Sequence, residues 1–387
     1  MTPSAGPAPS RQRPFVALVE AMKAVTQGDG DRLSAVLRST DLDGLLRMAG
    51  RHRCAGALLR GIGALGVEDP SGGALIKGLQ TSVKAAALQS FAVRIQLNAV
   101  LEAFRGTGVP CVLLKGAARL HTREDDADWT PIFDLDLLIR ERDIGGAIAA
   151  LKTMGYRANE SGGSEAWYRA HHHHLVPFDP PGPGLPIEIH LVLGWPGAIA
   201  QRFDWERIAP YLQPLDGAAM VYRLDQTGTA LHRAIHAMDM TRLHDVVLLA
   251  RCLQRGGDAT LEALERMWRA EHRQRVAIQA VVILAAALTG RTLDAPPEVR
   301  RYLRWVTQRE ELPRQVRLRT GLADAWFING GHLFGPASRL ALPPCGTGGY
   351  RVTATELLRW PVRLAGLIAM GTWGLIRAGA EHGRDVM

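Results

Sequence analysis

Phe133-Asp134-Leu135-Asp136-Leu137-Leu138-Ile139 reads as a two-faced acidic strand. Side chains in a strand alternate between faces, so Asp134 and Asp136 project together while Leu135 and Leu137 point into packing. Two ionised carboxylates on one face repel each other. A divalent cation between them is the simplest device that lets a fold keep both, and hard oxygen ligands of this kind suit Mg²⁺ or Mn²⁺. Downstream, Ile187-Glu188-Ile189-His190 repeats the design, with Glu188 and His190 on one face and Ile187, Ile189 and Leu191 on the other. Glu188 is the candidate third carboxylate.

Asp-x-Asp alone is a weak signal, and its company strengthens it. Val112-Leu113-Leu114 reads as a short buried strand, Gly116 permits a close turn, and Ala117-Ala118-Arg119-Leu120 has helical character. A strand, a glycine and a helix N-terminus make a phosphate-sized anion site, because free backbone N–H groups and the helix dipole face the incoming charge. Lys115 would add a mobile cation.

Working outward, the Asp134 strand is followed by a helix with apolar residues at Ile144, Ile148, Leu151 and Met154, closed by Gly155, so one βαβ-like half is expected. His174-Leu175-Val176-Pro177-Phe178, a Pro/Gly-rich turn over 179–186 and the Glu188 strand read as a hairpin that sets Glu188 beside the aspartates. Residues 14–96 read mostly as helices, and helices resume beyond Pro196 with a loop at Gly256-Gly257. The expected fold class is α+β: a small mixed β-sheet core flanked by N- and C-terminal helical regions. Its expected divisions are a flexible tail over 1–13, a helical region over 14–96, the core over 97–200 and a helical region over 201–387.

The run Leu113-Leu114-Lys115-Gly116, then the Phe133 to Ile139 strand, a helix ending at Met154-Gly155-Tyr156, and Ile187-Glu188-Ile189-His190 together resemble the uncharacterised nucleotidyltransferase family, a branch of the polymerase-β-type superfamily. Leu231-His232-Arg233-Ala234-Ile235-His236 and Leu243-His244-Asp245-Val246 are similar to the family's helical block. The resemblance implies a magnesium-dependent transferase that binds NTPs, ATP among them, with Lys115 and Gly116 at the nucleotide phosphates. Asp134, Asp136 and Glu188 would be both the metal ligands and the catalytic acids, supported by His174 and His190. Two further readings are open: an inactive binding or regulatory protein with the same fold, and a phosphoryl transferase using the same site. The acceptor is not legible.

Composition bounds the rest. With 387 residues, 47% hydrophobic and 22% charged, the chain is a globular protein and not a disordered one. A net charge of +8 leaves nucleic acid open as a partner, although acids interleave the arginines over 265–275 and 300–319, which reads as solvated helix faces. Cys54, Cys111, Cys252 and Cys345 are widely spaced, which argues against a zinc site or disulfide framework and fits a reducing cytoplasm. The apolar stretch over 276–288 contains Gln279 and is too short to span a membrane, so it reads as a buried helix. The stretch over 357–376 carries Arg359, Pro361 and Arg363; it reads as an amphipathic helix open to peripheral membrane contact, not as a span.

Four other features read as structural. Glu124-Asp125-Asp126-Ala127-Asp128 reads as a solvated loop, and His171 to His174 as a surface run, since in a strand only alternate members share a face. His232 and His236, one helical turn apart with Asp239 beyond, read as part of a helix packed on the sheet, and His244-Asp245 as an interhelical hydrogen-bonding pair.

Overall fold

The computed structural model describes residues 13–122, 130–159, 164–194, 202–215, 218–237, 243–270 and 275–300. The N-terminal tail, the acidic tract over 124–128, Asp239, Cys345 and the apolar stretch over 357–376 lie outside the described residues.

Five helices open the chain: α1 (Pro14–Gln27), α2 (Gly30–Ser39), α3 (Leu42–Arg51), α4 (Ala55–Ala64) and α5 (Ala74–Gly106). Local chemistry sets their ends. Pro14 starts α1 and Gly28, at φ 72°, closes it, while the Asp29 carboxylate accepts from the Arg32 N–H to cap α2. Strand β1 (Cys111–Leu113) then leads directly into α6 (Lys115–Thr122), and β2 (Leu135–Ile139) into α7 (Ile144–Thr153). Next come β3 (Arg157–Ala158), α8 (Glu165–His171), β4 (Phe178–Asp179), β5 (Ile187–His190), α9 (Trp205–Ile208), β6 (Leu212–Leu215) and β7 (Ala218–Leu224). The described chain closes with α10 (Gln226–Ala237), α11 (Leu243–Ala270) and α12 (Arg275–Leu288).

The strands form one mixed sheet in the order β3-β4-β5-β2-β1-β7-β6, so the fold is α+β with helical flanks. β1 and β2 pair antiparallel, with Val112 opposite Leu138, while β2 and β5, on either side of α7, pair parallel. One feature departs from the sequence reading: β6 and β7, in a region read as helical, extend the sheet, and β7 pairs parallel to β1. At 256–257, read as a loop, the helical path of α11 is broken by Gly257, whose φ 59° and ψ −148° lie outside the helical region. The expected β4–β5 pairing is present, with Phe178 opposite Ile187.

The sheet is packed on both faces. Cys111, Leu113, Leu135, Leu137, Ile139, Ile187 and Ile189 face a core made with α5, α6 and α7. On the other face Val112, Leu114 and Leu138 join a core that includes Leu18 and Met22 of α1, Leu249 of α11 and Val282 of α12. The N- and C-terminal helices therefore share one core. α5 contributes Leu75 and Leu79 to that core and Leu97 and Leu101 to the other, so it runs unbroken through the expected boundary at 96–97. Period-two alternation puts Asp134 and Asp136 on the Leu138 face, toward α10 and α11.

Candidate active site

β2 and β5 run parallel in a register that sets Glu188 opposite Asp136 and His190 opposite Leu138. Asp136 is fully buried within β2, and Asp134 lies one residue before the strand. Oδ1 of Asp136 accepts from Lys115 Nζ at 2.7 Å and lies 2.7 Å from His190 Nε2. Oδ2 of Asp136 is buried and has no hydrogen-bond partner among the described residues. Glu188 Oε2 lies 3.3 Å from His174 Nε2 and 3.8 Å from His190 Nε2.

The turn differs from the expected one. Lys115, not Gly116, carries the left-handed backbone, at φ 40°. Gly116 serves close packing instead: a Cβ there would sit 3.0 Å from Ile132 Cγ2. Lys115 is not a mobile cation, because its ammonium is held against Asp136 with the side chain 15% exposed. Among the described residues the other non-glycine position with positive φ is Arg53, at 56°. Its guanidinium lies 4.1 Å over the Phe133 ring, and its charge favours ionisation of Asp134. Such backbone positions cost about 1–3 kcal/mol and gather at functional sites; both here carry cations toward the acidic pair. Arg53 was invisible in the sequence reading, because it comes from the α3–α4 loop and no local motif ties it to Asp134.

Electrostatics divide the three acids. Burial opposes ionisation of Asp136, but the Lys115 charge and the His190 hydrogen bond outweigh it and hold the carboxyl well below the usual range. Burial and the Asp136 charge push Asp134 up to about 6. Burial, then Asp136 and Asp134, push Glu188 up to about 8. The site stabilises one carboxylate with its own cation and resists the ionisation of the other two. Burial works against the Lys115 ammonium, yet the three carboxylates raise its pKa.

The histidine run is not a surface feature. His172, His173 and His174 are buried in the segment after α8, where His174 forms an antiparallel bridge with His190, and all three gather. Their ring nitrogens lie within 4.8 Å of one another, and the His173 ring is 4.9 Å from His190. Burial, followed by the neighbouring His190, depresses His174 to about 3. From the other side α10 presents buried His232, held well below the usual imidazole range by burial and by Lys115. Arg233 of α10 pairs with Asp245 of α11 at 3.3 Å, the interhelical contact expected of that segment.

Asp136, Glu188 and His190 offer ligand atoms within 4.8 Å of one another. An orphaned carboxylate oxygen, two acids reluctant to ionise and a mixed oxygen and nitrogen donor set fit a divalent cation.

A family model described as uncharacterised nucleotidyltransferase matches residues 38–290, well over half of the chain. The chain belongs to that family, and the matched residues run from the end of α2 through α12 and take in the whole sheet. No curated protein and no solved structure matched the chain.

Proposed function

We propose that the chain is a divalent-metal-dependent nucleotidyltransferase that moves a nucleoside monophosphate from an NTP such as ATP to a hydroxyl or phosphate on a small molecule, peptide or protein. The observation that supports this most is Asp136, whose Oδ1 is engaged by Lys115 and His190 while Oδ2 stays buried without a partner between two carboxylates that resist ionisation. Bound by Asp134, Asp136 and Glu188, with His190 as a further donor, Mg²⁺ or Mn²⁺ would supply charge neutralisation and Lewis acidity for displacement at phosphorus.

The chain's own groups have separable parts. Asp136 is the permanent anion, and Lys115 keeps it ionised and in place. Glu188, which holds its proton below about pH 8 without metal, would ionise on binding the cation and then be free to take the proton of an acceptor hydroxyl. His174 and His190 orient Glu188 and Asp136. The start of α6 at Lys115-Gly116 offers backbone N–H groups to the donor's phosphates. No helix among the described residues is long and apolar enough to cross a membrane, and three buried free cysteines suit a reducing cytoplasm as the compartment.

One observation favours a second reading. The Lys115–Asp136 contact satisfies part of the acid without any metal, as an inactive binding or regulatory protein would. Calorimetric titration of ATP with Mg²⁺ or Mn²⁺ separates the two. Metal-dependent binding in the native chain and its loss in Asp136→Asn are expected; a native chain that binds no nucleotide with either metal leaves the inactive reading standing.

A further inference from the structure

The histidines after α8 differ from the acids in chemistry and adjoin them in space. His172, His173 and His174 are buried, and each offers a ring nitrogen within 4.8 Å of those of the other two. The His173 ring is 4.9 Å from His190, and the His174 ring is 5.5 Å from it. Their backbone is tied on both sides. The His172 N–H donates to the Tyr168 carbonyl of α8 at 2.7 Å, and the His173 carbonyl accepts from the Leu191 N–H, just past β5, at 2.8 Å. His174 bridges His190, and the Leu175 N–H donates to the Ile189 carbonyl at 2.8 Å. Three imidazoles are thus presented together by a segment that hydrogen bonds pin to α8 and β5.

His174 shows how such a ring is turned. Its Nδ1 lies 2.6 Å from the Leu175 carbonyl oxygen, which can only accept, so Nδ1 carries the proton. In a neutral ring that leaves the lone pair on Nε2, which faces Glu188. A proton held by a backbone carbonyl on one nitrogen and a lone pair on the other is the arrangement that metal-bound histidines adopt. Imidazole nitrogens suit Zn²⁺, whereas carboxylate oxygens suit Mg²⁺ and Mn²⁺, so the two adjoining sets select different ions. Ligands bonded at about 2.0–2.1 Å to one tetrahedral Zn²⁺ stand about 3.4 Å apart. His174 Nε2 and Glu188 Oε2 already have that spacing, at 3.3 Å. Small side-chain rotations of His172 and His173 draw the other nitrogens in.

We infer that His172, His173 and His174 form a Zn²⁺ site beside the acidic centre, three imidazoles on one ion with its fourth position facing Glu188. Zinc held by imidazoles needs no nucleotide and no Asp136. The site therefore stands whether or not the acids transfer a nucleoside monophosphate.

The untagged full chain is stripped with a chelator and dialysed against Zn²⁺ with Mg²⁺ in excess. Bound zinc is measured by elemental analysis, and X-ray absorption at the zinc edge reads its ligands. The native chain is expected to keep about one Zn²⁺ per chain, with light neighbours at about 2.0–2.1 Å and the outer scattering of three imidazoles. His172→Gln and His173→Gln are each expected to weaken Zn²⁺, in competition with a chromophoric chelator, by more than the about 10- to 100-fold that loss of an orienting partner costs. Asp136→Asn is expected to keep the zinc. A native chain that holds no zinc against Mg²⁺ overturns the site. Sulfur neighbours at about 2.3 Å, or fewer than three imidazoles, also overturn it. So does unchanged affinity in a histidine variant whose circular dichroism shows it folded. Zinc lost with Asp136→Asn yet held by His172→Gln puts the ion at the acids and overturns it as well. The absorption spectrum of the native chain needs no variant, so it still decides if both histidine substitutions fail to fold.

Discussion

Glu188 is the residue at which burial and charge collide. Its carboxyl is pushed up to about 8 from an ordinary 4.5, so between those two values the folded chain holds a proton that the unfolded chain releases. The sign follows by linkage: the group's contribution to stability is greatest at low pH and is lost as pH rises from about 4.5 to about 8. The depressed histidines His173, His174, His190, His232 and His236 contribute the opposite slope up to about pH 6.5, so the Glu188 part is read as a difference: without metal, Glu188→Gln is expected to gain in melting midpoint relative to the native chain as pH rises from about 4.5 to about 8. Metal affinity has the opposite slope, since Asp134 and Glu188 must ionise to serve as ligands. Mn²⁺ binding followed by electron paramagnetic resonance is expected to tighten between pH 5 and 8. At pH 8, His190→Asn is expected to weaken it by about 10- to 100-fold, as loss of an orienting or coordinating imidazole does.

At the scale of elements, the acidic strands were legible because β2 and β5 are short and one face of each is strictly apolar. Leu135, Leu137, Ile187 and Ile189 all enter one core, which leaves the alternate positions for Asp136, Glu188 and His190. The β6–β7 hairpin was not legible. Pro214 and Gln213 are exposed at the sheet edge, where proline is tolerated, and they break the apolar alternation that announces a strand. The burial of the histidine run was not legible either, because it comes from pairing beside β5, where His174 bridges His190, a contact between segments that no local pattern announces. The β1–α6 turn carries its own prediction. Ile132 cannot easily yield to a larger residue at Gly116, because Gln89 bonds both its N–H, at 3.1 Å, and its carbonyl, at 2.6 Å. Gly116→Ala is expected to cost about 1–3 kcal/mol in urea unfolding, and adding Ile132→Val to recover part of it.

For the whole molecule, helical flanks were legible from periodicity, but their union was not. Nothing local in α1 or α12 says that Met22 and Val282 will share a core, because that contact is made only once the sheet has brought the two ends of the chain together. The consequence is cooperativity. Met22→Ala in α1 and Leu249→Ala in α11 each empty a fully buried position and are expected to cost about 2–5 kcal/mol. Both are expected to lower one and the same unfolding transition by calorimetry, whereas independent N- and C-terminal domains would give two transitions, each sensitive to one substitution. The shared core also places Arg53, from the N-terminal helices, and His232, from α10, around acids carried by the central strands.

Transfer of a nucleoside monophosphate at Asp134, Asp136 and Glu188, as proposed, is read out by label transfer. The native chain and an Asp136→Asn variant are incubated with Mg²⁺, cell extract and ATP labelled at either the α- or the γ-phosphate. The α-label alone is expected to pass to an acceptor, and only with the native chain. Transfer of the γ-label, or α-label transfer that survives Asp136→Asn, would contradict it.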